Sequence, residues 1–214
     1  MAYGEKMRRL SPCPHGLILS LLEKYRPGLG GLLDIGCGRG ERLAAVAEAY
    51  PGAYLAGLDS DPDMAALSRK YADVRIGDAE SLPFEDESFD AGLCECSLSL
   101  FPQPEESLKE AFRVLKKGGV LILGELNTDL GGREYVEAPD GEAVKRIFSP
   151  ETIEKMAHGA GFVKKEFSDR SGELAAMAAQ MIFDGSFCGC VGTESAKLLM
   201  KLKAGYGLWV FGKE

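Results

Sequence analysis

The residues with the clearest chemical content lie in Leu32-Leu-Asp-Ile-Gly-Cys-Gly-Arg-Gly40, an apolar run that ends in a glycine-rich turn just ahead of a helical pattern. Glycines at 36 and 38 remove the side chains that would keep a ligand off the backbone, and a helix start offers N–H groups without intrahelical partners. Such a turn accommodates a small polar ligand. Asp59 ends the next apolar run, 25 residues after Asp34, where a carboxylate can accept hydrogen bonds from both hydroxyls of a ribose. The turn departs from the dinucleotide fingerprint G-x-G-x-x-G, because Glu41 stands where the third glycine belongs. Asp34 precedes the turn, where a carboxylate repels a pyrophosphate and orients a cationic group. A positively charged sulfonium cofactor fits these residues better than NAD.

The elements that must position these residues are legible as alternating patterns. Pro14 opens a helix with Leu17, Ile18, Leu21 and Leu22 on one face, ended by Arg26-Pro27-Gly28. Short apolar runs follow at Leu32–Ile35, Tyr54–Leu58, Val74–Ile76, Ala91–Cys94 and Val120–Leu123, each reading as a buried strand. Helical patterns separate them at Glu41–Tyr50, Pro62–Tyr71 and Pro104–Leu115, the second with Asp61 as its N-cap. Strands alternating with helices imply parallel pairing through right-handed crossovers, hence an α/β, Rossmann-like, doubly wound sheet with helices on both faces. Asn127–Asp140 reads as a loop, Ser149-Pro150 starts another helix, and Phe162–Phe167 and Tyr206–Phe211 read as the last two strands. Between them, residues 168–204 hold two helical patterns around Asp184–Gly192. One domain is expected over 1–214: an N-terminal arm and leading helix to residue 30, a cofactor-binding core over 31–125, and a C-terminal part over 126–214 with a helical insertion at about 168–204.

Composition narrows the partners. The 214 residues carry 25 Lys plus Arg against 33 Asp plus Glu, a formal net charge of −8 that repels phosphate backbones and anionic lipid. Nucleic acid and membrane partners are therefore not expected. No apolar run approaches the roughly 18 residues of a transmembrane span and the N-terminus lacks a signal-peptide pattern, so a cytoplasmic location is expected. In that setting the six cysteines read as thiols rather than disulfides.

The chain resembles the class I S-adenosylmethionine-dependent methyltransferases, in particular the small-molecule subgroup called methyltransferase type 11. The resemblance is carried by Leu33-Asp-Ile-Gly-Cys-Gly-Arg-Gly40, Gly57-Leu-Asp-Ser60, Gly77-Asp-Ala-Glu-Ser-Leu-Pro-Phe84, Ser88-Phe-Asp90 and Phe112-Arg-Val-Leu-Lys-Lys-Gly-Gly119, in family order and spacing. It implies S-adenosylmethionine as cofactor, with Asp34 and the backbone of Gly36, Cys37 and Gly38 beside its methionine portion, and Asp59 with Ser60 at the ribose. It further implies adenine recognition by Asp78 and Ala79, with Cys94 bordering the methionine moiety. A seventh strand inserted antiparallel between the fifth and sixth is the implied close of the sheet.

Methyl transfer from a sulfonium is an in-line displacement from an activated donor, so alignment and exclusion of water matter more than a fixed catalytic set. No metal is expected. A base is needed only where a small-molecule acceptor must lose a proton; the candidates are His15, ahead of the leading helix, and Glu95 and Ser99, after the fourth strand. His158, the other histidine, reads as structural. Two further functions fit the same residues: an S-adenosylmethionine-binding sensor or partner without catalysis, and a thiol or metalloid methyltransferase in which Cys94, Cys96, Cys188 and Cys190 converge on a soft acceptor. A monomer or homodimer is expected.

Overall fold

The computed structural model describes residues 12–128, 135–136, 145–184 and 201–214. Its central feature is a seven-stranded sheet built from β1 (Gly31–Ile35), β2 (Tyr54–Asp59), β3 (Asp73–Ile76), β4 (Phe89–Glu95), β5 (Leu115–Asn127), β8 (Val163–Asp169) and β9 (Gly205–Gly212). The spatial order is β3-β2-β1-β4-β5-β9-β8. The β1–β2, β1–β4, β2–β3 and β4–β5 pairs are parallel, whereas β9 runs antiparallel to both β5 and β8. The expected sheet, including its late antiparallel insertion, is present. The order reverses at β1, and in open α/β sheets ligands bind outside the carboxyl ends of the strands at such a switch point.

Helices α1 (His15–Tyr25), α2 (Glu41–Ala49), α3 (Pro62–Ser68), α4 (Pro104–Val114), α5 (Pro150–Gly159) and α6 (Ser171–Asp184) flank the sheet. Local chemistry sets several of their starts. Asp61 accepts hydrogen bonds from the Asp63 and Met64 N–H groups with Pro62 in the first turn, and Ser149 accepts from Thr152 N–H ahead of Pro150. Every residue of β1 is buried, as a strand covered on both faces requires. Its alternation divides the core: Leu32 packs with α1 and α2 residues such as Leu22 and Val46, while Leu33 and Ile35 pack with Leu108 and Ala111 of α4. Asp90 ties the lower edge together by accepting from the Gly30 and Gly31 N–H groups and pairing with Arg26 and Lys116. Burial opposes its charge, yet the bonds from Lys116 and the two backbone donors hold its carboxyl below the ordinary aspartate value.

Three expectations about element boundaries change. The α3 pattern stops at Ser68 rather than Tyr71. β5 extends back to Leu115, absorbing Gly118-Gly119 where the β4 register shifts between Phe89 and Ala91. Tyr135–Val136 (β6), within the stretch read as a loop, pairs antiparallel with Lys145–Arg146 (β7). The expected arm before residue 12 and the second helical pattern around Asp184–Gly192 lie outside the described residues, apart from the end of that insertion at 201–204.

β9 illustrates how tertiary context uses a short sequence. All eight residues are buried, with Tyr206, Leu208 and Val210 on one face of the sheet and Trp209 and Phe211 on the other. Just beyond it, Lys213 donates to the Phe112 and Leu115 carbonyl oxygens at 2.9 and 2.7 Å, satisfying the otherwise open end of α4. Among the described residues no helix is long and apolar enough to cross a membrane.

Candidate functional site

At the carboxyl ends of β1, β2 and β4 lies a cavity of about 450 Å³, within the roughly 300–1,000 Å³ range of small-molecule sites. It gathers Asp34, Gly36, Cys37, Gly38, Asp59, Ser60, Asp78 and Ala79, together with His15 and Glu95.

The glycine turn is held from within. Gly36 and Cys37 N–H both donate to the Leu58 carbonyl at 2.8 and 3.0 Å, Gly40 N–H donates to Cys37 O, and Gly38 N–H donates to Asp59 Oδ2 at 2.7 Å. The turn therefore spends the N–H groups of Gly36, Cys37 and Gly38 on stapling β1 to β2, and only those of the helix start beyond Gly40 match the expectation of unpartnered donors. What it offers instead is space. At Gly38, with φ of +53°, a Cβ would meet nothing within 4 Å, so a side chain there would project into the cradle. At Gly36, with φ of +74°, a Cβ would stand 2.6 Å from Ser97 Cβ, so only glycine lets the β4 loop close onto the turn.

Asp59 is correspondingly preorganised. Its Oδ2 takes the Gly38 N–H and its Oδ1 takes the Asp61 N–H at 3.0 Å, leaving each oxygen a further lone pair for a diol. Asp34 differs. It is buried, its carboxyl takes no hydrogen bond from the described residues, and burial, followed by the nearby negative charge of Glu95, pushes that carboxyl up to about 7. A cationic group entering the cavity would relieve that cost. On the far side Ala79 is buried and Asp78 is exposed at the rim.

The opposite wall is made by a buried ion pair. The Arg42 guanidinium embraces Glu95 through Nε and Nη2, donates from Nη2 to Cys13 O at 2.6 Å, and binds His15 Nδ1 through Nη1 at 2.8 Å. Glu95 also accepts the Tyr206 hydroxyl at 2.9 Å. Gly124 makes that reach possible, since a Cβ there would lie 2.1 Å from the Tyr206 oxygen. Glu95, the candidate base, is thus held in a network with Arg42 and Tyr206. Because a guanidinium only donates, His15 Nδ1 accepts, and the ring proton sits on Nε2; a base at His15 Nε2 is not prearranged.

Two expected site residues do not reach the cavity wall. The pleat turns Cys94 to the side opposite Glu95's neighbour Leu93, so that it packs among Leu33, Leu98 and Leu121 with its Sγ 3.4 Å from Ser97 Oγ. Ser99 is buried in the 3₁₀ turn Leu98–Leu100, where its N–H and Oγ both donate to Glu125. Conversely, sequence reasoning missed Arg42 and Phe101, which line the cavity together with Cys13 and Cys96. Arg42 carried a signal: it precedes Val46 by four residues on the inward stripe of α2, beside Leu43.

Cys13, Cys37 and Cys94 are held as neutral thiols, each pushed up to about 12 by burial first. No group of three metal-ligating side chains forms among the described residues, and Cys188 and Cys190 lie outside them. His158 ends α5, away from the cavity.

Residues 33–123 match the family model of a methyltransferase domain. The chain is 35% identical over 175 residues to a demethylmenaquinone methyltransferase from Clavibacter sepedonicus, covering 68% of this chain and 71% of that one. It is 31% identical over 169 residues to an uncharacterized 37.1 kDa protein in transposon TN4556 of Streptomyces fradiae, covering 76% of this chain but only 44% of that protein. Among solved structures, the [4+2]-cyclase SpnF superposes with a TM-score of 0.71 at 25% identity, covering 92% of this chain and 80% of that one. The chain belongs to the class I S-adenosylmethionine-dependent methyltransferases, in the methyltransferase type 11 family, and its cofactor is S-adenosylmethionine. The open cradle at Gly38, the diol-ready Asp59 and the unbonded, buried Asp34 fit that cofactor.

Proposed function

We infer that this chain transfers the methyl group of S-adenosylmethionine to a small-molecule acceptor, acting as one cytoplasmic domain without nucleic acid. The observation that carries this reading is Asp59, fixed by backbone N–H groups from two loops at the mouth of a glycine cradle. Bound S-adenosylmethionine supplies an activated methyl group on a sulfonium. The chain's part is placement. Asp59 would accept the ribose hydroxyls, Asp78 and Ala79 would receive the adenine, and Gly36–Gly38 would let the methionine portion lie against the backbone. Asp34 would be drawn to its ionised form by the ligand's positive charges. Among the described residues, seven acidic side chains line the cavity against two arginines and His15, an electrostatic bias that favours a cationic donor. Leu100, Phe101 and Pro102 form an apolar section of the same wall, suited to the carbon skeleton of an organic acceptor.

Neither His15 nor Glu95 is poised as a base, which supports an acceptor that reacts without losing its proton to the protein first. A second reading, binding of the cofactor without methyl transfer, is favoured by the similarity to a cyclase. The experiment that separates them supplies methyl-labelled S-adenosylmethionine and a small-molecule fraction of cell extract. Label appearing in an organic product, with S-adenosylhomocysteine formed in equal amount, supports the transferase. Tight cofactor binding with no label transferred across extracts overturns it in favour of the second reading.

A further inference from the structure

We propose that Arg42 is the residue that receives the α-carboxylate of the cofactor's amino-acid end, with Glu95 and Tyr206 as the positioning residues that aim it. This rests on the proposed function above and assigns a role within that site. A ligand that is anionic at one point needs a donor in a cavity where acidic side chains outnumber the basic ones, Arg39, Arg42 and His15. Arg42 is 92% buried, on the basis of its 8% exposure, and lines the cavity from the second residue of α2, immediately after the glycine turn.

Its hydrogen bonds can be counted. A guanidinium has five N–H groups in a rigid plane. Nε–H and one Nη2–H go to Glu95, the other Nη2–H goes to Cys13 O, and one Nη1–H goes to His15 Nδ1. The fifth, on Nη1, takes no partner from the described chain. Leaving a buried N–H unused is costly, and one on a cavity wall is best satisfied by an anion.

The rest of the network explains why the donor stays in place. Glu95 holds two edges of the plane, and the Tyr206 hydroxyl holds Glu95 at 2.9 Å, so the Nη1 edge cannot rotate away without breaking a buried pair. Asp34, with no hydrogen bond from the described chain, stands in the same cavity and feels the Arg42 charge. A buried acid and a buried guanidinium together match the ammonium and carboxylate of a zwitterionic amino acid.

The test is calorimetric binding to the intact chain of two probes that share adenosine and a thioether: S-adenosylhomocysteine, and 5′-methylthioadenosine, which lacks the amino acid. Arg42→Met should weaken S-adenosylhomocysteine about tenfold or more and change 5′-methylthioadenosine less than about twofold, a selectivity that a merely structural role would not produce. Arg42→Lys, which keeps the charge but not the fork, should fall between, and Tyr206→Phe should show a smaller loss of the same selectivity. Equal losses for both probes, unchanged binding of both, or a selective loss in Arg39→Met instead overturn the proposal. Where Arg42→Met does not fold, the unaltered chain decides: decarboxylated S-adenosylhomocysteine must bind about tenfold or more weaker than the parent, and equal affinity overturns the assignment. Failure of the unaltered chain to bind S-adenosylhomocysteine at all sinks the proposed function itself, and this assignment with it.

Discussion

The two walls of the cavity are built by different means. On the glycine-turn side, the lining groups come from neighbouring loops, and the bonds that hold them come from backbone N–H groups: Gly38 and Asp61 N–H to Asp59, Gly36 and Cys37 N–H to Leu58 O. On the other side, one buried plane of Arg42 joins α1, α2, β4 and, through Tyr206, β9. The first wall is stiff because its local chain has few alternatives. The second is stiff because residues as far apart as 13 and 206 converge on a single ion pair, so damage to it reaches the fold as well as the ligand.

That contrast is broken most severely at Glu95. Glu95→Ala strands the buried Arg42 guanidinium and should destabilise the chain by about 3–5 kcal/mol, the range for removing one partner of a buried pair, measured by urea unfolding. A loss under about 1 kcal/mol would mean that water reaches the guanidinium and that the two walls do not differ in the way described.

Asp59→Ala should invert the pattern. Hydrogen bonds to a charged group are worth about 1.5–3 kcal/mol, so S-adenosylhomocysteine affinity should drop by about tenfold to a hundredfold, while unfolding free energy changes by about 1 kcal/mol. A mutant that binds normally removes Asp59 from the site.

The smallest effect tests Asp34. Its carboxyl is raised from 3.8 to about 7 in the folded chain, so the folded state holds the proton more tightly than the unfolded state. Its contribution to stability is therefore fully present below about pH 4 and is lost as pH rises through about 7. Ligand binding has the opposite sign, because the ligand's ammonium group needs the ionised carboxylate: S-adenosylhomocysteine affinity should rise about tenfold between about pH 6 and 8, and Asp34→Asn should flatten the profile. A flat profile in the unaltered chain sinks the coupling.

Much of the glycine-turn wall is legible in the sequence because its signals are local. Gly36, Gly38, Asp59, Asp78 and Ala79 stand at or just after the carboxyl ends of strands that alternation locates, and the turns there border the switch point of the sheet. Cys94 and Ser99 were misplaced for a reason of the same kind. A strand end read to within one residue cannot assign a face, since the pleat reverses with every residue. Arg42 stood on the inward stripe of α2, yet its partners lie 29, 53 and 27 positions away in sequence, and no spacing rule connects them.

By itself, the order of residues determined the parallel βα alternation, the glycine turn and the acid after the second strand, because hydrophobic period, glycine's access to positive φ and helix caps act over a few residues. The choice of which polar groups share the second wall belonged to the tertiary structure. Only packing β9 between β5 and β8 brings Tyr206 over Gly124 to Glu95, and only the seat of α1 against α2 brings Cys13 and His15 to Arg42. Burying a guanidinium is tolerable just where those distant acceptors already converge.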